Sequence, residues 1–201
     1  LHLLSRRQRQ MCIRDRQMIS IDAKEIEKAK SLLKNYPQQV KAAAASAINR
    51  TSTMVKTEVS KTIRKNYLIS AKDIKSTLSI KRASRSKLTG IISSIGQAPL
   101  ITAFRVRAYK KGPVRVQVMK KNKPKPVPGL FIGSSLKGYV GAMQRKNLSM
   151  RYPLRIPHGP SVPQMFSAES SMSVIAPFAE KILNQRFLHE VSYRYGKFGG
   201  R

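Results

Sequence analysis

From Gln38 to about Lys65 the apolar positions Val40, Ala44, Ala47, Ile48, Met54, Val55, Val59 and Ile63 keep a 3.6-residue rhythm, with no Gly or Pro among them. That rhythm predicts one long amphipathic helix, and the run Ala42 to Ala45 predicts a stretch where another element can approach closely. Lys41, Arg50, Lys56, Lys61 and Arg64 fall mainly off the apolar stripe and read as a solvated face rather than a DNA-reading helix. Upstream, Ser20 or Asp22 could cap a short helix through Leu33, rich in Lys24, Glu25, Glu27 and Lys28 and interrupted at Pro37. Downstream, Ser70 followed by Asp73 resembles a capping box that opens a two-turn helix through Leu78.

The period then changes from 3.6 to 2. Leu88 to Ile95 is a β-type run broken by Gly90. Between Ile101 and Tyr109, Phe104, Val106 and Ala108 alternate with Arg105, Arg107 and Tyr109, and after Lys110-Lys111-Gly112-Pro113 the valines 114, 116 and 118 resume against Arg115, Gln117 and Lys120. This is the pattern of an antiparallel hairpin with one buried and one basic face. The segment 120–129, with Lys120, Lys121, Lys123 and Lys125 among three prolines, cannot be a central strand and reads as an exposed connector or hairpin tip. Leu130 to Ile132 and Gly138 to Met143 suit short strands, whereas the four prolines of 151–164 require an extended path. Ile175, Phe178, Ala179, Ile182, Leu183, Phe187 and Val191 return to helical spacing, with Ser173 as N-cap and Pro177 in the first turn. No repeat of fixed period appears. The fold class is α+β: a long N-terminal amphipathic helix, an antiparallel β-sheet with a basic hairpin, and a C-terminal helix across it.

Charge changes the picture more than composition does. The 201 residues hold 40 Lys plus Arg against 9 Asp plus Glu, a net charge of +31. Residues 1–17, LHLLSRRQRQMCIRDRQ, read as translated adapter or vector sequence ahead of Met18, although a basic arm for phosphates is the literal alternative. Without them, five Arg and Asp15 are lost and 35 basic and 8 acidic residues remain, a net of +27, so the basic character does not depend on the leader. We divide the rest, 18–201, as one domain: 18–79 helical, 80–150 β-rich, 151–165 proline-rich and extended, 166–195 the C-terminal helix. No run of 18 apolar residues exists, so no membrane span is expected. The single cysteine, Cys12, excludes an internal disulfide and a cysteine-based zinc site, a usage that fits reducing cytoplasm.

Catalysis fares badly. Between Ile74 and Ala168 there are 19 Lys or Arg and no Asp or Glu, so that stretch cannot pair carboxylates for acid/base chemistry or hold catalytic Mg²⁺. Glu58 and Asp73 would be the only acids near the basic middle available to a nuclease. His158 and His189 are isolated, and the scattered Gly129, Gly133, Gly138 and Gly141 do not form a phosphate loop. No enzyme activity, cofactor or metal is expected. What remains is a field for polyanions. Candidate contacts are Arg105, Arg107, Lys110, Lys111, Arg115, Lys120, Lys121, Lys123 and Lys125; their partner is either a duplex DNA backbone or an acidic protein surface, since aromatic residues for stacking on single strands are few.

Three strings point to a family. Ala47-Ile48-Asn49-Arg50-Thr51, Ile80-Lys81-Arg82-Ala83-Ser84, and Leu154-Arg155-Ile156 leading into Gly159-Pro160-Ser161-Val162-Pro163-Gln164-Met165 resemble, in this order, the tailed-phage minor tail protein Z family. The resemblance covers nearly all of 18–201; the leader and a proline-rich insert at 123–128 depart from it. It implies a non-enzymatic virion protein in tail completion and head–tail joining, at the head-proximal end of the tail near the genome end. Its implied partners are other tail or neck proteins, a homo-oligomeric ring and duplex DNA, with assembly in the host cytoplasm. Gly159 to Met165 would be a rigid docking loop, or simply a fixed crossing from sheet to terminal helix. The rival is a cytoplasmic, non-catalytic nucleic-acid-binding protein of ribosomal or nucleoid type.

Overall fold

The computed structural model describes residues 15–22, 37–110, 112–134 and 138–198. Its organising element is α1, Pro37–Asn66, thirty residues long as its uninterrupted periodicity predicts. Val40, Ala44, Ala47, Ile48, Val55, Val59 and Ile63 are all buried, and the off-stripe Lys41, Arg50, Lys61 and Arg64 are exposed. A helix buried on one stripe gains its stability from what packs there. Here two partners share the stripe.

The first partner is the C-terminal helix. After Arg64 and Lys65 close α1, the capped turn forms as its sequence predicts: Ser70 opens α2, Ala71–Thr77, accepting the Asp73 backbone N–H at 3.1 Å and donating its hydroxyl to the Asp73 carboxylate at 2.7 Å. Near the chain's other end come α3, Val162–Ser167, and α4, Glu169–Phe198. Helix α4 runs antiparallel to α1, because Arg194 reaches Ala42 and Ser46, Glu190 reaches Arg50, and Arg186 reaches Met54. Val40, Ala43, Ala44 and Ala47 form one cluster with Phe187 and Val191 of α4, the close approach that the alanine run permits. Farther along, Ile175, Ala179 and Leu183 join the main core with Val55, Val59 and Ile63.

The second partner is a three-stranded antiparallel sheet ordered β1-β3-β2, from β1 (Asp15–Asp22), β2 (Leu78–Lys81) and β3 (Thr89–Gly96). Gly90, Ile92 and Ser94 of the central strand are buried. Gly90 does not break this strand. A Cβ at Gly90 would lie 2.7 Å from Ile48 Cγ2 and 2.8 Å from Ser52 Oγ, so its missing side chain is what lets β3 lie against α1.

Two small antiparallel sheets complete the elements among the described residues. One is ordered β4-β5-β6, from β4 (Arg105–Arg107), β5 (Arg115–Gln117) and β6 (Lys125–Pro126); the other is β7-β8-β9, from β7 (Leu130–Ser134), β8 (Val140–Arg145) and β9 (Leu154–Arg155). The α+β class and the hairpin are as the patterning predicts, and the proline-bearing β6 sits at an edge, where a missing N–H is tolerated.

Three further expectations are corrected. Ser20 and Asp22 lie in β1 rather than capping a helix; Ile19 to Asp22 alternates apolar and polar residues, a period of 2 that outweighs the capping signal, and the rest of that predicted helix, 23–33, lies outside the described residues. The strand also crosses the leader boundary, pairing Asp15, Arg16 and Gln17 with Gly96, Ile95 and Ser94, because strand pairing uses backbone groups that every non-proline residue carries. The hairpin strands are shorter than the alternation: Ile101–Ala103 is a 3₁₀ turn, tied by Ile101 N–H to the Pro157 carbonyl at 2.9 Å, and Ala108 is exposed. Finally, α4 begins at Glu169, so Ser173 is not its N-cap and Pro177 lies in its interior. Pro177 and Ser173 are both exposed, so water can solvate the Ser173 carbonyl that loses its helical donor.

The tight seat of β3 gives a prediction. Gly90→Ala should lower stability by about 1–3 kcal/mol through overpacking against Ile48 and Ser52, read as a shifted urea midpoint with an unchanged slope.

Candidate nucleic-acid interface and docking loop

The hairpin register decides which charges share a face. Arg105 pairs with Gln117, Val106 with Val116, and Arg107 with Arg115. Paired residues on antiparallel strands point to the same side, and side chains alternate along each strand. Arg105, Arg107, Arg115 and Gln117 therefore form one face, while Val106 and Val116 turn toward the core, Val116 being buried. All three arginines are exposed. The Arg115 guanidinium lies 5.7 Å from the centroid of the Tyr109 ring, which holds a flexible side chain over the turn.

The lysines are spread along the turns. Lys110 is exposed, and Lys111 lies outside the described residues. Lys120, Lys121 and Lys125 are exposed, as is Lys123; the Gln117 amide donates to the carbonyls of Asn122 at 2.7 Å and Lys120 at 3.3 Å, so the 120–122 turn is pinned beside the arginine face. The turn is also joined to α1. Leu68 N–H donates to the Val118 carbonyl at 2.8 Å and Lys120 N–H to the Asn66 carbonyl at 2.9 Å. This brings Lys120 and Lys121 to the C-terminal turn of α1 with Arg64 and Lys65, where the helix carbonyls favour cations. Periodicity alone places Arg64 on a solvated helix face; only the fold shows that it extends the basic surface together with Lys65.

The docking-loop string folds inward. Ser161 caps α3, with its Oγ accepting Gln164 N–H at 3.3 Å and its own N–H donating to Gln164 Oε1 at 3.0 Å, a complete capping box. Ser161, Val162, Pro163 and Met165 are buried, Gly159 and Pro160 half-buried, and Gln164 exposed. Gly159 sits against the Phe104 ring. The extended path expected through Met165 thus ends at Ser161, because Pro163 suits a first helical turn and the apolar Val162, Met165 and Phe166 bury together. The segment follows a fixed path from sheet to terminal helix, with Gln164 its one exposed side chain between Ser161 and Met165.

A third cluster carries no signal in the sequence. Glu190 of α4 is buried, with Oε1 3.3 Å from Arg50 Nε and Oε2 3.5 Å from an Arg194 terminal nitrogen. Arg194 also donates to Ser46 Oγ at 3.1 Å and to the Ala42 carbonyl at 3.4 Å. A single carboxylate thereby holds α1 and α4 in register. Of the acids considered for a nuclease, Glu58 pairs with Lys61 at 3.6 Å and Asp73 serves the cap of α2. No group of three or more His, Cys, Asp or Glu positioned to hold a metal occurs among the described residues.

Removing the carboxylate leaves two guanidiniums facing one another at the helix contact. Glu190→Ala should cost about 2–3 kcal/mol, below the figure for a fully buried pair because the Arg50 side chain is 60% exposed; thermal denaturation reads the loss, and Glu190→Gln should recover part of it through hydrogen bonding.

No curated protein and no solved structure matches this chain. A family model does, the prophage minor tail protein Z, over residues 23–194, a span that takes in α1 and all but the last residues of α4. That span contains all three strings of the resemblance, the basic hairpin and the capped α3, and it establishes that the chain belongs to the prophage minor tail protein Z family, a family of phage tail structural proteins.

Proposed function

We propose that the protein completes the tail at its head-proximal end and helps join it to the head, with the arginine face of the hairpin turned toward the backbone of the genome end. The observation that carries this reading is the coincidence, in a tail protein, of Arg105, Arg107 and Arg115 on one exposed strand face with the pinned 120–122 turn and the basic end of α1. Charge distributed in this way meets phosphates without reading bases, which suits a DNA conduit whose sequence varies. In this reading 18–201 acts as one non-enzymatic unit that packs with other tail or neck proteins, as copies of itself in a ring, and is carried into the virion after assembly in the host cytoplasm.

Two measurements test the proposal. Quantitative mass spectrometry of nuclease-treated, salt-washed particles should find a few copies per particle, and none in tails that lack the head-proximal end. Absence from particles, with abundance in the cytoplasmic nucleic-acid fraction, would overturn the tail-completion role in favour of a ribosomal or nucleoid type of binding. For the DNA interface, replacing Arg105, Arg107 and Arg115 together with Ser should flatten the slope of log K against log salt for duplex binding by about 3, close to 1 for each phosphate left without its arginine. An unchanged slope removes the hairpin from the interface.

A further inference from the structure

Two strings that carry the family resemblance, separated by about thirty residues of chain, meet at one place. Asn49 of α1 clamps the backbone that follows β2: its Nδ2 donates to the Ala83 carbonyl at 3.0 Å and its Oδ1 accepts Ala83 N–H at 2.8 Å. The clamp fixes the neighbouring Arg82 beside Arg50, the residue that follows Asn49. Across from them, Arg186 of α4 is held by a contact from its terminal nitrogen to Met54 Sδ at 3.7 Å. Asn49, Arg50, Thr53, Met54, Arg82 and Arg186 line a solvent-open groove of about 340 Å³.

Three arginines thus line one concavity, and one of them, Arg50, shares the buried Glu190 with Arg194. Glu190 engages Arg50 through Nε, an ion pair that does not use the two terminal nitrogens of that guanidinium. Arginine's fork matches carboxylates two bonds at a time, and Met54 adds an apolar patch to the lining. We infer that this groove is the docking site for an acidic segment of a neighbouring protein, one that presents Glu or Asp side chains beside an aliphatic one. A duplex offers a continuous line of phosphates, which the exposed hairpin face suits better than a concavity between helices. A second copy of this chain is a poor donor, with 9 acidic residues in 201, of which Glu58, Asp73 and Glu190 are already engaged. The inference does not depend on which end of the tail the protein occupies or on the hairpin meeting DNA.

The test uses the full chain and two fluorescent probes, a hexaglutamate peptide ending in leucine and a 20-base-pair duplex, followed by anisotropy at low salt. Arg82→Ser with Arg186→Ser should weaken peptide binding by about tenfold or more while duplex binding changes less than about twofold. A control that removes the same charge elsewhere, Lys72→Ser with Lys75→Ser, should leave peptide binding nearly intact. Arg82→Lys keeps the charge without the fork and should recover only part of the affinity in an Arg186→Ser background; its unchanged circular dichroism guards against a folding defect. Equal loss for both probes, loss for the duplex alone, or no loss for the peptide would each overturn the assignment. So would dissociation of a self-associated wild-type species by the groove variant in sedimentation velocity, which would assign the groove to a second copy.

Discussion

The narrowness of one face of α1 is the constraint on which the rest of the molecule depends. Ala43, Ala44, Ala47, Thr51 and Ser52 are buried there, all of them small, and a helix can be approached closely only where its side chains are short. On one flank the alanines receive Phe187 and Val191; on the other, Ile48 and Ser52 meet a strand that has no side chain at Gly90. Larger residues at these positions would push α4 and β3 outward. The Asn49 clamp, the Glu190 ion pairs and the groove between Arg50 and Arg186 would then lose their spacing together. Core and surface chemistry are thus two sides of the same few turns of helix.

Polar groups have specific tasks within this packing. Asn49 pairs with the Ala83 backbone as a strand would, finishing a loop that has no ladder of its own. Glu190 lies at the α1–α4 contact, where an unpaired carboxylate would be costly, and two arginines from different helices meet that demand. Its position specifies the antiparallel register more sharply than alanines could, since small apolar side chains tolerate sliding. Thr51 Oγ1 and Arg194 Nε are buried without a hydrogen-bond partner, so the contact keeps some polar cost inside a well-packed seam.

Legibility follows the range of the signal. The long helix, the capped turn at Ser70 and the hairpin at Val106–Val116 are readable because their determinants lie within a few residues of each other. The strand at Asp15–Asp22 competes with a capping signal in the same five residues, and the pairing partner that decides the matter, β3, lies some seventy residues downstream. Gly159 to Met165 is recognisable as a string, and Ser161 with Gln164 has the spacing of a capping box, a signal that the four prolines of 151–164 outweigh in the pattern; the burial is not readable, because Phe104 supplies the surface that holds Gly159. The groove cannot be read at all: Arg50, Arg82 and Arg186 are ordinary surface arginines until α1, the loop after β2 and α4 are brought together. Arg64 and Lys65 likewise gain meaning only when the Lys120 turn is tied to the helix end.

The length of α1 has a consequence of its own. Sixteen residues separate Arg50, at the groove, from Asn66, whose carbonyl holds the basic turn, and at about 1.5 Å per residue the two points stand about 24 Å apart on one stiff rod. That is about three times the roughly 8 Å over which charges are screened at physiological ionic strength. Each end can therefore meet its own anion without lowering the other's attraction. The helix serves as a spacer that keeps two strongly positive surfaces electrically deaf to each other, and it carries a displacement at one end to the other as movement rather than as charge.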